Sequence, residues 1–135
     1  MKVVLDTNVI VSAALTTHGP CGQIVDLLVS GMYEICADDR ILDEYDTVLR
    51  RPEFHIVSED AEAILDLVRS VAELVAADPV LTGLPDPKDM PFLEVATASD
   101  AILVTGNLRH FPKRARKGVT VASPREFLEL LRHSS

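Results

Sequence analysis

The stretch VVLDTNV, residues 3–9, begins as an uninterrupted aliphatic run that stops at Asp6. A short run of this kind is typical of a strand with both faces buried, as in parallel sheets covered by helices. Further runs occur at residues 33–37, 101–104 and 119–122, and helical patterns separate them. We therefore predict an α/β fold, a three-layer α/β/α sandwich with a central, mainly parallel sheet.

Between the predicted strands, apolar residues recur at intervals of three and four, which is typical of helices with one buried face. The longest such pattern begins near Ser58 and continues to Val75. Ser123 and Glu126 enclose Pro124 in the pattern of a capping box, which predicts a last helix. The other predicted helices are residues 8–15, residues 20–30, a segment capped by Asp38 or Asp39 that ends before Pro52, and residues 89–98; an extended loop is predicted from Pro79 to Pro87.

The composition predicts one domain, residues 1–135, with a well-filled aliphatic interior, since 47% of the residues are hydrophobic and 4% aromatic. A formal net charge of −8 would on average repel a polyanion, so nucleic-acid binding requires a local concentration of basic side chains. Five of the 13 Lys and Arg follow the strand predicted at residues 101–104. Such a run is more often only a solvated surface, and its position makes it a candidate. The five are Arg109, Lys113, Arg114, Arg116 and Lys117.

The two cysteines, Cys21 and Cys36, form neither a metal-ligand pair nor a disulfide framework. Two small buried thiols in a reducing compartment are the simpler interpretation. Only three apolar residues precede Asp6, too few for the core of a signal peptide, and no later apolar run approaches the length of a membrane span. We therefore expect a cytoplasmic protein without a membrane segment.

Acids and small polar residues occur where predicted strands and helices end or begin. Asp6 ends the first strand, and Thr105 and Asn107 follow a later one, so these side chains should meet at the carboxyl edge of the sheet, where ligands bind. Asp6 and Asp89 also have a structural interpretation, since each lies where a helix needs an N-cap. Helical geometry alone does not separate Glu44 from Asp46 as the inward-facing acid of its helix.

An oxygen-rich set of this kind suits Mg²⁺ or Mn²⁺ better than zinc. The four histidines are scattered without ligand spacing, and we interpret each as an ordinary surface or core residue. They are His18, His55, His110 and His133.

Taken together, these segments resemble the signatures of the PIN-domain family, metal-dependent nucleases that include the VapC-like toxins of bacterial toxin–antitoxin pairs. Each segment is weakly specific, but five occur in order over nearly the whole chain. The segments are VVLDTNV at residues 3–9, LDE at 42–44 with LRRPEF at 49–54, DPKDMPFLEVA at 86–96, VTGNLRHFP at 104–112, and SPREFL at 123–128, the last similar to one bacterial toxin subgroup.

The resemblance implies that Asp6, Glu44 and Asp89 are the metal-binding catalytic acids, which separates Glu44 from Asp46. It also implies an Mg²⁺- or Mn²⁺-dependent endoribonuclease that hydrolyses RNA, an antitoxin partner and a homodimer. Thr7, Asn8 and Thr105 would support the ligands, and residues 109–117 would contact the RNA backbone. Many relatives have an acid where this chain has Asn107, so a second metal would bind less firmly, with Asp86 as a substitute ligand.

Two other classes of function remain open. The first is a phosphotransfer domain with Asp6 as its nucleophile, although no second acid lies near Asp6, and Asn107 with Arg109 substitutes poorly for the expected lysine. The second is a catalytically inactive PIN-like module that binds RNA or protein, which the acidic charge and Asn107 favour.

Overall fold

The computed structural model describes residues 1–78 and 83–134 and confirms the predicted α/β architecture. Single 3₁₀ turns occur at Pro52–Phe54, Pro87–Asp89, Leu108–His110 and Lys113–Ala115. The strands are β1 (Lys2–Leu5), β2 (Glu34–Ala37), β3 (Glu73–Leu74), β4 (Ile102–Val104) and β5 (Val121–Ala122), and the helices are α1 (Thr7–Leu15), α2 (Pro20–Val29), α3 (Asp39–Leu49), α4 (Ser58–Val71), α5 (Met90–Ser99) and α6 (Pro124–Ser134).

The five strands form one parallel sheet in the order β3-β2-β1-β4-β5. The aliphatic segment that opens the chain is therefore the central strand, and Val3, Val4 and Leu5 are completely buried. Its register places Leu5 beside Val104 of β4, so the residues that follow these two strands lie next to each other. The helices cover this sheet in a three-layer α/β/α sandwich.

The prediction of one helix from Ser58 to Val75 is wrong at its carboxyl end. Helix α4 ends at Val71, because Ala72 turns to an extended conformation with ψ of 134°. Glu73 and Leu74 then pair with β2 as the edge strand β3. Helical spacing of apolar residues cannot reveal this change, because the pairing depends on a strand far away in the sequence. The loop predicted from Pro79 begins outside the described residues, which resume at Gly83.

Helix α3 is fixed to the centre of the sheet by a buried hydrogen bond from the Tyr45 hydroxyl to the Leu5 carbonyl oxygen. Its amino end is capped by Asp38, whose Oδ1 accepts from the Ile41 amide at 3.0 Å. Near that end, Arg40 pairs at 2.7 Å with Glu94 of α5. These contacts hold α3 in one position relative to β1 and α5, the elements that carry the predicted acids.

Helix α2 begins against the loop that follows α1, and a glycine permits this close approach. A Cβ atom at Gly22 would lie 2.1 Å from the carbonyl oxygen of Thr17. The reciprocal capping box predicted at α6 is also present, with Ser123 and Glu126 bonded at 2.9 and 3.1 Å. Within the described ranges, no helix is long and apolar enough to cross a membrane.

Candidate active site

Asp6 lies at the carboxyl end of β1, and its carboxylate receives donors from three directions. Oδ1 accepts from the Thr7 amide at 2.8 Å, which caps α1 as the structural interpretation predicted. Oδ2 accepts from the Thr105 hydroxyl at 2.8 Å and from the Asn8 amide group at 3.4 Å. Asp6 therefore both caps a helix and is held in one orientation by groups from two strand ends.

Glu44 reaches the same place from α3. Its Oε2 accepts a hydrogen bond from the Thr7 hydroxyl. Thr7 therefore contacts both acids, because its amide donates to Asp6 and its hydroxyl donates to Glu44. Asp46 instead forms surface ion pairs with Arg50 and Arg69. Of the two acids that helical geometry could not separate, Glu44 is thus the one that lies beside Asp6.

Asp89 is buried at the start of α5, but its side chain makes no capping hydrogen bond. Asp89 therefore occupies the predicted N-cap position of α5 without bonding there, while Asp86 caps the preceding 3₁₀ turn, its Oδ1 accepting from the Lys88 amide at 2.9 Å. Among the described residues, the buried Oδ2 of Asp89 has no partner with hydrogen-bond geometry. Nδ1 of His110 lies 2.8 Å from that oxygen, as an ion-pair contact. This oxygen is therefore held by a single imidazole contact, and its remaining lone pair has no donor among the described residues.

The burial of these acids opposes their ionisation. Burial raises the pKa of Asp6, and the hydrogen bonds from Thr105 and Thr7 only partly offset this effect. The pKa of Asp89 rises to about 6, first because of burial and then because of the charge on Asp6, while His110 acts in the opposite direction. A cation between the carboxylates would favour their charged forms.

These acids share one open cleft of about 530 Å³, which we call the acid cleft. Its floor is the carboxyl edge of the sheet, and α1, α3 and the start of α5 form its walls. It is lined by Asp6, Thr7, Asn8, Val11, Ser12, Leu15, Thr16, Glu44, Val48, Arg51, Phe54, Asp86, Lys88, Asp89 and His110.

Residues 2–109 match the family model described as PIN domain. The chain belongs to the PIN-domain family. It is 29% identical to the uncharacterized protein MJ1680 of Methanocaldococcus jannaschii over 96% of this chain and 90% of that protein. The fold is similar to the crystal structure of VapBC2 from Rickettsia felis bound to a DNA fragment from their promoter. That similarity has a TM-score of 0.60 at 20% identity and covers 91% of this chain and 98% of the other.

The donor set of this PIN domain fits a hard divalent cation, although it is not a closed metal cage. In the portion of the chain that the structure describes, no three His, Cys, Asp or Glu side chains converge closely enough to enclose a metal. Mg²⁺ commonly binds through one or two carboxylates and keeps several water ligands. Asp6 and Asp89, which line the same cleft, meet that requirement, and Glu44 lines the cleft as well.

The predicted supporting residues of the PIN domain lie at the same edge of the sheet. The Asn8 side chain accepts from the Gly106 amide at 3.0 Å, and Thr105 accepts from the Asn107 amide at 3.0 Å. Asn107 itself lines an adjoining groove rather than the acid cleft. Asp86, its predicted substitute, does line the acid cleft.

None of the five cations of the basic segment lines the acid cleft, although His110, which lies within that segment, does. Arg109 lies on the turn beside His110, and Arg116 donates to the Phe111 carbonyl at 2.8 Å. Lys117 lines a groove with Ile102 and Thr120, where β4 and β5 begin, so it lies at the opposite, amino edge of the sheet. Lys113 and Arg114 are exposed on the turn between these points.

The sequence did not predict the histidine, the two cations and the aromatic side chain that line the cleft. His110 had been treated as an ordinary histidine, yet it contacts Asp89. Arg51, Phe54 and Lys88 were quoted only as parts of motifs, and all three line the acid cleft. Their position depends on two proline-containing turns that bring them over the edge of the sheet, and spacing in the sequence does not reveal this.

Proposed function

We propose that this PIN domain is an Mg²⁺- or Mn²⁺-dependent endoribonuclease that hydrolyses phosphodiester bonds of RNA. The observation that carries this proposal is the cleft that Asp89 shares with Asp6 and Glu44, in which the buried Oδ2 of Asp89 has one contact, the ion pair with His110. Three acids around one cleft would repel one another unless a cation joined them. Membership of the PIN-domain family supports nuclease chemistry at this place.

Asp6 and Asp89 would hold the cation, with Glu44 contacting it directly or through water. When bound, the cation would lower the pKa of a water ligand and stabilise the charge that develops on the phosphate during attack. The protein's part is to keep the acids in place before substrate arrives. Thr105 and the Thr7 amide orient the two oxygens of Asp6, and the Thr7 hydroxyl orients Glu44.

The test is cleavage of a mixed-sequence single-stranded RNA by the purified protein in Mn²⁺, in Mg²⁺ and in EDTA. We expect cutting with either metal, none in EDTA, and loss of cutting in Asp89→Asn. Asp46→Asn is the matched control, because it makes the same substitution in an acid outside the cleft and should remain active. If the intact protein cuts nothing, including structured RNAs, the inactive RNA- or protein-binding module becomes the better assignment.

The family resemblance and the fold shared with VapBC2 also support a place in a toxin–antitoxin pair. The partner would be an antitoxin protein that covers the acid cleft and places a cationic side chain among the acids. Co-expression with the product of the adjacent gene should give a stable complex without ribonuclease activity, and removing that product should restore cutting. Sedimentation of the isolated chain would test the predicted homodimer. Undiminished ribonuclease activity in the presence of the adjacent gene's product would refute the place in a toxin–antitoxin pair.

A further inference from the structure

Two cations at the acid cleft have no acidic partner among the described residues. Arg51 and Lys88 both line the cleft, both are exposed, and neither forms an ion pair there. The neighbouring Arg50 provides a contrast, because Asp46 and Glu62 both bind its guanidinium group. The two cleft cations are therefore available to an anion from outside the protein.

Short proline-containing turns fix the backbone of both cations. Arg51 precedes Pro52 with φ of −65° and ψ of 128°, the extended conformation that a following proline favours. Its amide donates to the Val48 carbonyl at 3.1 Å, and its carbonyl accepts from the Phe54 amide at 3.2 Å. Lys88 follows Pro87, and its amide is bonded to Asp86. Anchors that are ordered in advance lose less entropy when a ligand binds.

The two cations come from different elements that line the cleft. Arg51 follows α3, the helix that carries Glu44, whereas Lys88 immediately precedes Asp89 at the start of α5. A nucleic-acid strand carries one negative charge at every nucleotide. A strand whose phosphate lies at the acids would bring neighbouring phosphates into the cleft that Arg51 and Lys88 also line.

Phe54 adds a surface for a base next to Arg51. Its side chain is only partly buried, and it lines the cleft together with the apolar side chains of Val48 and Leu15. Aromatic side chains beside cations are the usual means of binding single strands, because unpaired bases stack on the ring. The bases of a duplex are already stacked on one another and would gain nothing from it.

We propose that Arg51 and Lys88 bind the phosphates that flank the cleaved phosphate, and that Phe54 stacks one unpaired base. This inference rests on the proposed ribonuclease function and names the side chains that would hold the RNA strand beside the acids. It also means that the cleft, and not residues 109–117, makes the main contact with the RNA backbone. Of that basic segment, Lys117 lies at the other edge of the sheet and Arg116 is bonded to the protein's own backbone.

The experiment measures binding of a fluorescent single-stranded RNA by anisotropy in the Asp89→Asn background, so that the oligonucleotide stays intact. The test pair is Arg51→Gln with Lys88→Gln. The matched control is Lys113→Gln with Arg114→Gln, which removes the same charge from the basic segment. We expect the test pair to weaken binding by at least about tenfold and to lower the salt dependence by about one released ion. The control pair should change affinity by less than about threefold.

Phe54→Leu tests the stacking contact. It should weaken binding of the normal oligonucleotide by about tenfold and should have little effect on an abasic oligonucleotide of the same length. Arg51→Lys should restore most of the affinity lost in Arg51→Gln, because it restores the charge. Thermal melting of every variant ensures that lost binding is not lost folding.

Failure of this inference is distinguishable from failure of the proposed function. If the control pair weakens binding as much as the test pair, or the intact protein binds no RNA, the cleft contacts are refuted. Cutting of RNA with normal binding by the test pair would keep the ribonuclease and refute the inference. Binding that depends on Arg51 and Lys88, without any cutting of RNA, would keep the inference about these contacts and refute the proposed ribonuclease activity.

Discussion

Asp89→Asn should stabilise the metal-free protein, because it removes a buried charge that the contact with His110 only partly compensates. The pKa of Asp89 rises to about 6 from an ordinary value of 3.8, mainly through burial. Two pKa units correspond to about 3 kcal/mol at a pH well above 6. Asparagine still has to bury a polar group, so we expect a net gain of roughly 2 kcal/mol at pH 8, or about 8 °C in melting temperature.

The pH dependence has a defined sign. Because the pKa is raised in the folded state, the wild-type protein has this contribution to its stability at low pH and loses it as the pH rises from about 4 through 6. The advantage of Asp89→Asn should therefore be largest at pH 8 and fall below about 1 kcal/mol at pH 4. Urea denaturation in EDTA at the two pH values measures both differences.

When metal is present, the wild-type protein should gain stability relative to Asp89→Asn. Millimolar Mn²⁺ should raise the melting temperature of the wild-type protein and leave Asp89→Asn nearly unchanged, since a ligand that binds only the folded state stabilises it. Asp46→Asn is the control. Because Arg50 and Arg69 lower the pKa of Asp46, removing this charge should not stabilise the protein at any pH. Coincident wild-type and Asp89→Asn curves at pH 8 without metal, or equal responses to Mn²⁺, would refute the reasoning.

Three further substitutions test local contacts, one in the fold and two beside the acids. Gly22→Ala should destabilise the protein by at least about 2 kcal/mol in urea denaturation, because its Cβ would lie 2.1 Å from the Thr17 carbonyl oxygen, a backbone atom. Thr7→Val should lower RNA cleavage at least about tenfold at nearly unchanged stability, because the isosteric side chain no longer donates to Glu44. Tyr45→Phe should lower the free energy of unfolding by about 1–2 kcal/mol, because the carbonyl oxygen that ends β1 loses its buried donor.

Each of these predictions has its own contrary outcome. Gly83→Ala is the control for Gly22→Ala, since a Cβ at Gly83 meets nothing within 4 Å, and equal effects would contradict the steric argument. Thr7→Ser should keep its activity, and a loss as large as that of Thr7→Val would show that the hydroxyl is not the important group. A Tyr45→Phe protein with unchanged stability would mean that solvent replaces the lost donor.

The sequence predicts the strands of the sheet well where burial and local pattern agree. The aliphatic runs of β1 and β4 are buried on both faces, so the pattern and the environment coincide. The edge strand β3 was not predictable, because Glu73 and Leu74 are exposed and are defined only by their pairing with β2. Tertiary contact overrides local preference at such positions.

The candidate site also has contacts that the sequence predicts and contacts that it does not. Asp6 and Thr105 were predictable as neighbours, because parallel strands end at one edge, and they are bonded at 2.8 Å. The contact between His110 and Asp89 was not, because a 3₁₀ turn after β4 brings the imidazole back over the edge. The net charge of the chain also did not reveal Arg51 and Lys88 as cations of the cleft. A net charge adds all charged residues together, wherever they lie in the structure.

The central position of β1 determines when the site can be assembled during synthesis. Strand β1 precedes its partner β4 by about a hundred residues, and the Asp6 carboxylate is held by a hydroxyl 99 positions later in the chain. Contacts this distant in sequence form late and slow folding, because a long loop must close before they contribute. A nascent chain that has not yet released β4 from the ribosome therefore carries the acids but not their arrangement. Any cleavage activity should appear only after most of the chain has been made, which gives a second protein time to bind first.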